Sequence, residues 1–486
     1  MPQGCDAKPM RCGAPCDGVR RTKIVCTLGP ASSSVEVLRR MVRAGMDVAR
    51  INFSHGTRPE HAKQVEAVRE AARLEGRAIA VLQDIQGPKV RIGDLATPRE
   101  LKVGQRLWLA PEGKGAHDGA LPVTHEGLAK DVRVGGALLL DDGNLELRVL
   151  RVEGHDVEAE VIEGGLLKAH KSLNLPGQPL SLDALSTKDF EDIRFGLKLD
   201  VDFVAASFVR DPKDIQRVKA MLAREELPVL VLAKIERTEA LANLDAILQA
   251  SDGALVARGD LGVELPPEDV PLVQKDLIHR CNVLGLPVIT ATQMLESMVH
   301  NPRPTRAEVT DVANAVLDGS SAVMLSGETA VGEHPVRVIE VMDRIVRKAE
   351  GAAMERFEQR TAALPKATIA DAIAHAAAQT AEQLGAKAIV ALTNSGGTAR
   401  YLSKWRPRVP ILGVTPIERT VGQLALLWGV LPLKVPRLPN EAQLVAASLA
   451  LAKEKGVVAS GDLVVVTSGQ AGVSGTTDRL QVHRVP

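Results

Sequence analysis

From Arg21 to about Lys348, short apolar runs alternate with stretches whose apolar residues recur at helical spacing. The runs are Lys23–Leu28, Asp47–Phe53, Ala78–Asp84, Val201–Ala206, Val229–Ile235, Gly253–Ala257, Leu286–Ala291 and Ser321–Leu325. Near-continuous apolar runs of this length suit strands covered on both faces, as in parallel sheets. Between them lie amphipathic stretches: Val35, Leu38, Met41 and Val42 share a helical face, and Gly45 stops it. Ser33-x-x-Glu36 and Thr305-x-x-Glu308 have the spacing of capping boxes. Eight strand–helix units predict an α/β fold, a (β/α)8 TIM barrel, in preference to an open doubly wound sheet.

Residues 88–182 break this rhythm with short alternating strands and frequent glycine, as in Arg106-Leu-Trp-Leu, Ala137-Leu-Leu-Leu and Val157-Glu-Ala-Glu-Val. They predict a small β domain inserted on the catalytic side of the barrel, a natural lid. After a linker at Arg360–Lys366, strands at Ala388–Leu392, Ile411–Val414 and Leu463–Thr467 predict a C-terminal α/β domain. The expected division is a flexible tail over 1–20, a barrel from 21–87 and 183–350, the insert over 88–182, and the last domain over 351–486.

Composition narrows the function. Lys and Arg number 60 and so do Asp and Glu, so no bulk field favours nucleic acid or an anionic membrane. Aromatics make up 2%, too few for base-stacking platforms. No apolar run is long enough to span a bilayer and the first residues lack a secretory core, so a cytoplasmic location is expected. Cys26 and Cys281 lie in apolar segments and read as core; Cys5, Cys12 and Cys16 in the head match no common zinc spacing and read as a frayed tail.

Barrel enzymes act at the C-terminal ends of their strands. Those ends carry Arg50, Asn52 and Ser54; Asp84, Lys89 and Arg91; Lys234 and Glu236; Arg258, Gly259 and Asp260; and Thr290 and Thr292. Strand parity places Lys234 beside Glu236 and Arg50 beside Asn52 and Ser54, with Ile51 and Phe53 facing the helices. Glu264 falls in the loop beyond. A buried lysine among carboxylates points to something divalent or phosphorylated between them. Paired arginines suit phosphate, Glu236 and Asp260 suit Mg²⁺, and Lys234 suits charge on a transferring phosphoryl group or an enolate.

These segments resemble pyruvate kinase. The stretches that carry the resemblance include Arg50-Ile-Asn-Phe-Ser-His-Gly56, Gly87-Pro-Lys-Val-Arg91, Lys234-Ile-Glu236, Asp252-Gly-Ala-Leu-Val-Ala-Arg-Gly-Asp-Leu-Gly262, Ala291-Thr-Gln-Met-Leu-Glu-Ser-Met298 and Met324-Leu-Ser-Gly-Glu-Thr-Ala330. The resemblance implies phosphoryl transfer from phosphoenolpyruvate to ADP, giving pyruvate and ATP, in a homotetramer. It implies that Arg50 and Arg91 hold phosphate and that Lys234 stabilises the transition state. Gly259 would help seat the substrate, and Glu236 and Asp260 would bind Mg²⁺, with Mn²⁺ as a substitute. Thr292 would stand on the proton-delivery side and Asp142 on the nucleotide side. Asn52, Ser54, Asp84 and the carbonyl of Ile85 match the positions that ligate K⁺ in relatives that need it.

Those relatives usually carry glutamate where this chain has Lys89, and a Thr-Lys pair where it has Ile85 and Gln86. Lys89 places a fixed ammonium near the site, so K⁺ is not expected to be required. In the C-terminal domain, Thr393-Asn394-Ser395-Gly396-Gly397-Thr398 is a strand-to-helix loop of donors and glycines suited to phosphate. The resemblance makes it the seat of a phosphorylated allosteric effector. Two rival functions are a metal-dependent lyase acting on pyruvate enolate and a silent sensor of a phosphorylated metabolite. The first needs neither the insert nor the C-terminal domain, and the intact Lys234, Glu236 and Asp260 argue against the second.

Overall fold

The computed structural model describes residues 20–178, 180–223, 229–362, 368–469 and 476–486; the head cysteines and most of the expected linker lie outside them. All eight apolar runs become strands of one closed parallel barrel: Lys23–Thr27, Val48–Asn52, Ala80–Asp84, Phe203–Ala206, Leu230–Ile235, Gly253–Ala257, Val288–Ala291 and Ala322–Leu325. Each strand pairs with its neighbours in sequence, and the first closes on the eighth. The alternation of side chains explains why nearly every position is apolar. Val25, Leu82, Phe203, Leu232 and Ile289 fill the barrel interior. Ile24, Ile51, Val81, Val231 and Val256 face outward and pack on the helices.

Helix starts follow local chemistry. Thr305 and Glu308 form the expected capping box at the head of Arg306–Asp318. The first helix is capped one residue later than its sequence suggests, by Ser34, whose oxygen accepts from Val37 N.

Between the third and fourth barrel strands the chain builds a six-stranded sheet, whose longest members are Leu145–Glu153 and Asp156–Glu163, around a core of its own that includes Leu109, Leu147 and Val161. The helix Pro335–Ala362 then carries the chain without interruption past residue 350. Among the described residues the C-terminal sheet has five strands where the sequence suggests three. The additions are Val430–Lys434, which contains Pro432, and the polar antiparallel edge strand Thr477–Arg484. No helix among the described residues is long and apolar enough to cross a membrane.

Candidate active site

The fifth strand ends by turning Lys234 into a buried acidic cluster at the C-terminal mouth of the barrel. Its ammonium lies 2.8 Å from Glu236 Oε1 and 3.1 Å from Asp84 Oδ1, and donates to Ser207 Oγ at 2.6 Å. Burial alone would lower the Lys234 pKa, but the charges of Asp84 and Glu236 outweigh it and raise it above the ordinary value. Burial works against ionisation of Asp84 too, yet Lys234 and Arg50 hold its carboxyl below the usual range. Burial, with Asp260 adding repulsion, raises Glu236.

Asp84 is the bridge between two cations. Arg50 donates from Nε to Asp84 Oδ2 at 2.7 Å and from Nη1 to Thr27 Oγ1 at 2.9 Å, which fixes the guanidinium plane. Of the other positions grouped with Asp84, Asn52 Oδ1 accepts from Ser54 N at 3.1 Å, and the Ile85 carbonyl accepts from Ser207 Oγ at 2.7 Å. Ser207 thus joins Lys234 to Ile85, a role the sequence reading missed. It sits directly after the fourth strand, so the strand-end rule could have found it; it is one small hydroxyl between apolar neighbours and carries no charge to draw notice.

The sixth strand stops at Ala257, and Arg258–Glu264 forms a short helix. Asp260 and Glu264 therefore ride on that helix, a correction to the strand end and loop expected for them. Arg258 is used structurally, donating to Asp311 Oδ1 at 2.7 Å and the Thr292 carbonyl at 2.6 Å. Thr292 holds φ 67, unusual for a β-branched residue, with Oγ1 accepting from Gly259 N at 2.9 Å. Lys89 reaches Asp260, Nζ to Oδ1 at 3.1 Å, from the other end of the insert. It is thereby placed against a candidate metal ligand, and no hydrogen bond or ion pair joins it to Asn52, Ser54, Asp84 or Ile85.

Asp142, at φ 56 in the insert, accepts from Ser172 Oγ at 2.7 Å. With Lys89, Gly259 and Asp260 it lines a cleft of about 990 Å³ that runs outward between the helices Val270–Leu284 and Arg306–Asp318. Arg91 does not line this cleft; its guanidinium donates to the His170 carbonyl at 3.0 Å. It still belongs to the same electrostatic neighbourhood. Burial first, and then the positive charges of Arg91, Arg50 and Lys89, push the His55 pKa down.

The donor set fits a hard divalent cation. Glu236 Oε1 accepts no hydrogen bond in good geometry although the Lys234 ammonium is near, and Asp260 stands within electrostatic reach of it. Among the described residues no group of three or more His, Cys, Asp or Glu side chains converges as a metal cage. Two carboxylates with the remaining positions left to water and substrate oxygens is the habit of Mg²⁺ at phosphoryl-transfer sites.

Comparison with known proteins decides the family. A family model described as "Pyruvate kinase, barrel domain" matches residues 19–339, and one described as "Pyruvate kinase, alpha/beta domain" matches residues 371–483. The chain belongs to the pyruvate kinase family. "Pyruvate kinase 2" of Synechocystis is 47% identical over 96% of this chain and 79% of its own length. The pyruvate kinases of Staphylococcus aureus and Geobacillus stearothermophilus are each 45% identical over 96% of this chain, covering 81% and 80% of their own lengths. The chain is accordingly a phosphotransferase of this family, and phosphoenolpyruvate and ADP are the family's substrates.

Within this pyruvate kinase family fold, the Thr393–Thr398 loop joins the strand Ala388–Leu392 to the helix Gly397–Lys404. Part of it is occupied internally. Thr393 Oγ1 accepts from Gly396 N at 2.9 Å, Thr398 Oγ1 meets Thr477 Oγ1 at 2.6 Å, and the Asn394 carbonyl accepts from Thr420 Oγ1 at 2.7 Å. Ser395 is exposed.

Glu264 has its own chemistry. It is buried, 3.7 Å from Arg237 Nη1, and Arg237 also donates to the Gln178 carbonyl at the root of the insert. Burial pushes the Glu264 carboxyl up to about 7 despite the pull of Arg237. The folded chain then keeps this proton to a higher pH than the unfolded chain, whose glutamates ionise near ~4.3. The associated stability is present in acid and is lost as pH rises from there through 7. Glu264→Gln is expected to leave stability at pH 5 nearly unchanged and to raise it by ~1–3 kcal/mol at pH 8. Urea unfolding at both pH values checks this; an equal loss at both would show that the ionised form is the native one.

Proposed function

We propose that this chain transfers the phosphoryl group of phosphoenolpyruvate to ADP with Mg²⁺, needs no K⁺, and responds to a phosphorylated effector. The observation that carries the reading is the convergence of Lys234, Arg50, Asp84 and Glu236, with Asp260 within electrostatic reach, at the end of the barrel where such chemistry is placed. In the reaction the bond from the enol oxygen to phosphorus breaks, a β-phosphate oxygen of ADP bonds to that phosphorus, and the enolate carbon takes a proton.

Arg50, held flat by Asp84 and Thr27, orients the phosphate in forked geometry, and Arg91 adds charge from the insert. Lys234 stays charged throughout and stabilises negative charge on the phosphoryl oxygens and on the enolate. Thr292, fixed against Gly259 N, stands across the site to hand the enolate a proton by way of water. Asp142 covers the nucleotide side of the cleft. Glu236 and Asp260 would hold Mg²⁺ or Mn²⁺, which would supply positive charge to offset the negative charge of the phosphate oxygens. Lys89 supplies a positive charge that stands in for K⁺. The test is pyruvate formation that requires phosphoenolpyruvate, ADP and Mg²⁺ together; pyruvate released equally well without ADP would favour a lyase.

The effector reading places phosphate on the Thr393–Thr398 loop of a homotetramer. With Thr393 and Thr398 partly committed to internal bonds, Ser395 is the cleanest probe. Ser395→Ala is expected to raise the effector concentration for half-activation at least ~10-fold, the scale of losing one hydrogen bond to a charged group, with maximal turnover unchanged. Steady-state rates against fructose bisphosphate, ribose 5-phosphate and AMP read this out. Identical activation curves for the variant and the parent would remove the loop from effector binding.

A further inference from the structure

A second cavity, of about 540 Å³, opens under the barrel between its strand N-termini and the C-terminal domain. Phe203, Leu230, Leu286 and Leu427 make its walls apolar. It shares Leu286, Pro287, Arg400 and Leu427 with a narrow recess that is also lined by Arg406 and Ser403. The recess holds about 10 Å³, room for one water-sized atom such as a single oxygen of an anion whose other atoms stay in the larger cavity.

Arg406 is the anomaly in this recess. It is 6% exposed and its Nη2 donates to Asn282 Oδ1 at 3.0 Å and the Gly319 carbonyl at 2.8 Å, while Nη1, also buried, makes no hydrogen bond. Among the described residues neither Arg406 nor Arg400 has a carboxylate at ion-pair distance. Burial pushes the Arg406 guanidinium down to about 9, with Glu350 the opposing charge, and Glu350 is itself engaged by the backbone of Arg21 and Thr22. Trp428 and Phe357 flank the guanidinium at 4.6 and 5.5 Å and offset part of the cost. A buried guanidinium edge without a partner otherwise costs several kcal/mol. Asp252, the carboxylate lining the larger cavity, is already held by Lys219 at 2.8 Å and Val231 N at 2.8 Å. Lys404 in the recess is matched by Asp371 at 2.7 Å. The excess positive charge therefore sits at the narrow end of an apolar cavity.

We propose that this cavity binds a small amphipathic monoanion, a short apolar body carrying one carboxylate or phosphate, with the charged end at Arg406 and Arg400. The apolar walls take the body, and the unpartnered Arg406 Nη1, together with Arg400, whose Nη1 already donates to the Gly285 carbonyl at 3.1 Å, supplies charged donors for a carboxylate or phosphate oxygen. The ligand would touch the barrel and, through Ser395, Gly396 and Gly397, the Thr393–Thr398 loop itself, while its anion end lies beyond that loop at Arg406 and Arg400.

Titration of the full chain with hexanoate, hexyl phosphate, hexanol and inorganic phosphate, read by the fluorescence of Trp428 and Trp405, tests the site. Hexanoate or hexyl phosphate is expected to saturate at concentrations at least tenfold below hexanol and below inorganic phosphate, and whichever binds more tightly names the head group. Arg400→Gln and Arg406→Gln, each checked for a native melting transition, are expected to remove that tenfold preference. Hexanoate and hexyl phosphate no tighter than hexanol in the parent chain would overturn the proposal without any variant. An anion preference that survives in a folded Arg400→Gln chain would overturn it as well.

Discussion

Lys234→Met is expected to lower kcat by about 10³-fold while the KM for phosphoenolpyruvate moves much less. Lys234 contacts both Asp84 and Glu236 in the buried cluster, and their charges keep it protonated across the working pH range. Its role is to meet charge that develops during transfer, which is why the loss falls on kcat. Removing it also leaves two buried carboxylates with less compensation, a change that costs ~3–5 kcal/mol when a buried pair is broken. The variant must therefore be shown to melt cooperatively before its rate is read. Lys234→Arg separates the two effects. It keeps the charge, and so much of the stability, but its planar fork cannot occupy the place of an ammonium held at 2.6 Å from Ser207 Oγ. A folded Lys234→Met chain with kcat within tenfold of the parent would remove Lys234 from the transition state.

The second large effect concerns Lys89. Lys89→Glu is expected to make the rate depend on K⁺, with activity in its absence falling ten- to several hundred-fold and recovering as K⁺ is added. The present lysine stands 3.1 Å from Asp260. Replacing it with a carboxylate turns an attraction into a repulsion worth ~1–4 kcal/mol at that range, beside a cluster that already holds Asp84 and Glu236. A monovalent cation is then needed to restore the balance, and Asp84 and the Ile85 carbonyl, both reached by Ser207, offer it oxygens. Rates of parent and variant in tetramethylammonium and potassium buffers give the answer. A variant equally active in both would show that Lys89 does no more than pair with Asp260.

Much of this was legible in the sequence because barrels write their pattern plainly. Eight apolar runs spaced by amphipathic stretches leave few alternatives, and strand parity put Lys234 beside Glu236 and turned Ile51 and Phe53 toward the helices. The failures have local causes. Gly259 and Gly262 suggest backbone near a short helix, but they lower helix propensity and seven residues are too few to show a period, so the extent Arg258–Glu264, which carries Asp260 and Glu264, is not visible in the sequence. Thr477–Arg484 is largely exposed on a sheet edge, so it lacks the apolar alternation of a half-buried strand. The pairing of Lys89 with Asp260 spans 171 positions and depends on how the insert leaves the barrel, which no spacing encodes. The same holds for the unpartnered edge of Arg406, which only burial reveals.

The most direct test follows phosphorus itself. Phosphoenolpyruvate, ADP and Mg²⁺ are mixed with the protein in potassium-free buffer, and phosphorus NMR is recorded alongside pyruvate. The expected result is a γ-phosphate resonance of ATP that grows in step with pyruvate and stops when Mg²⁺ is chelated. Pyruvate accompanied by inorganic phosphate in place of ATP, or phosphoenolpyruvate left intact with and without K⁺, would contradict the account.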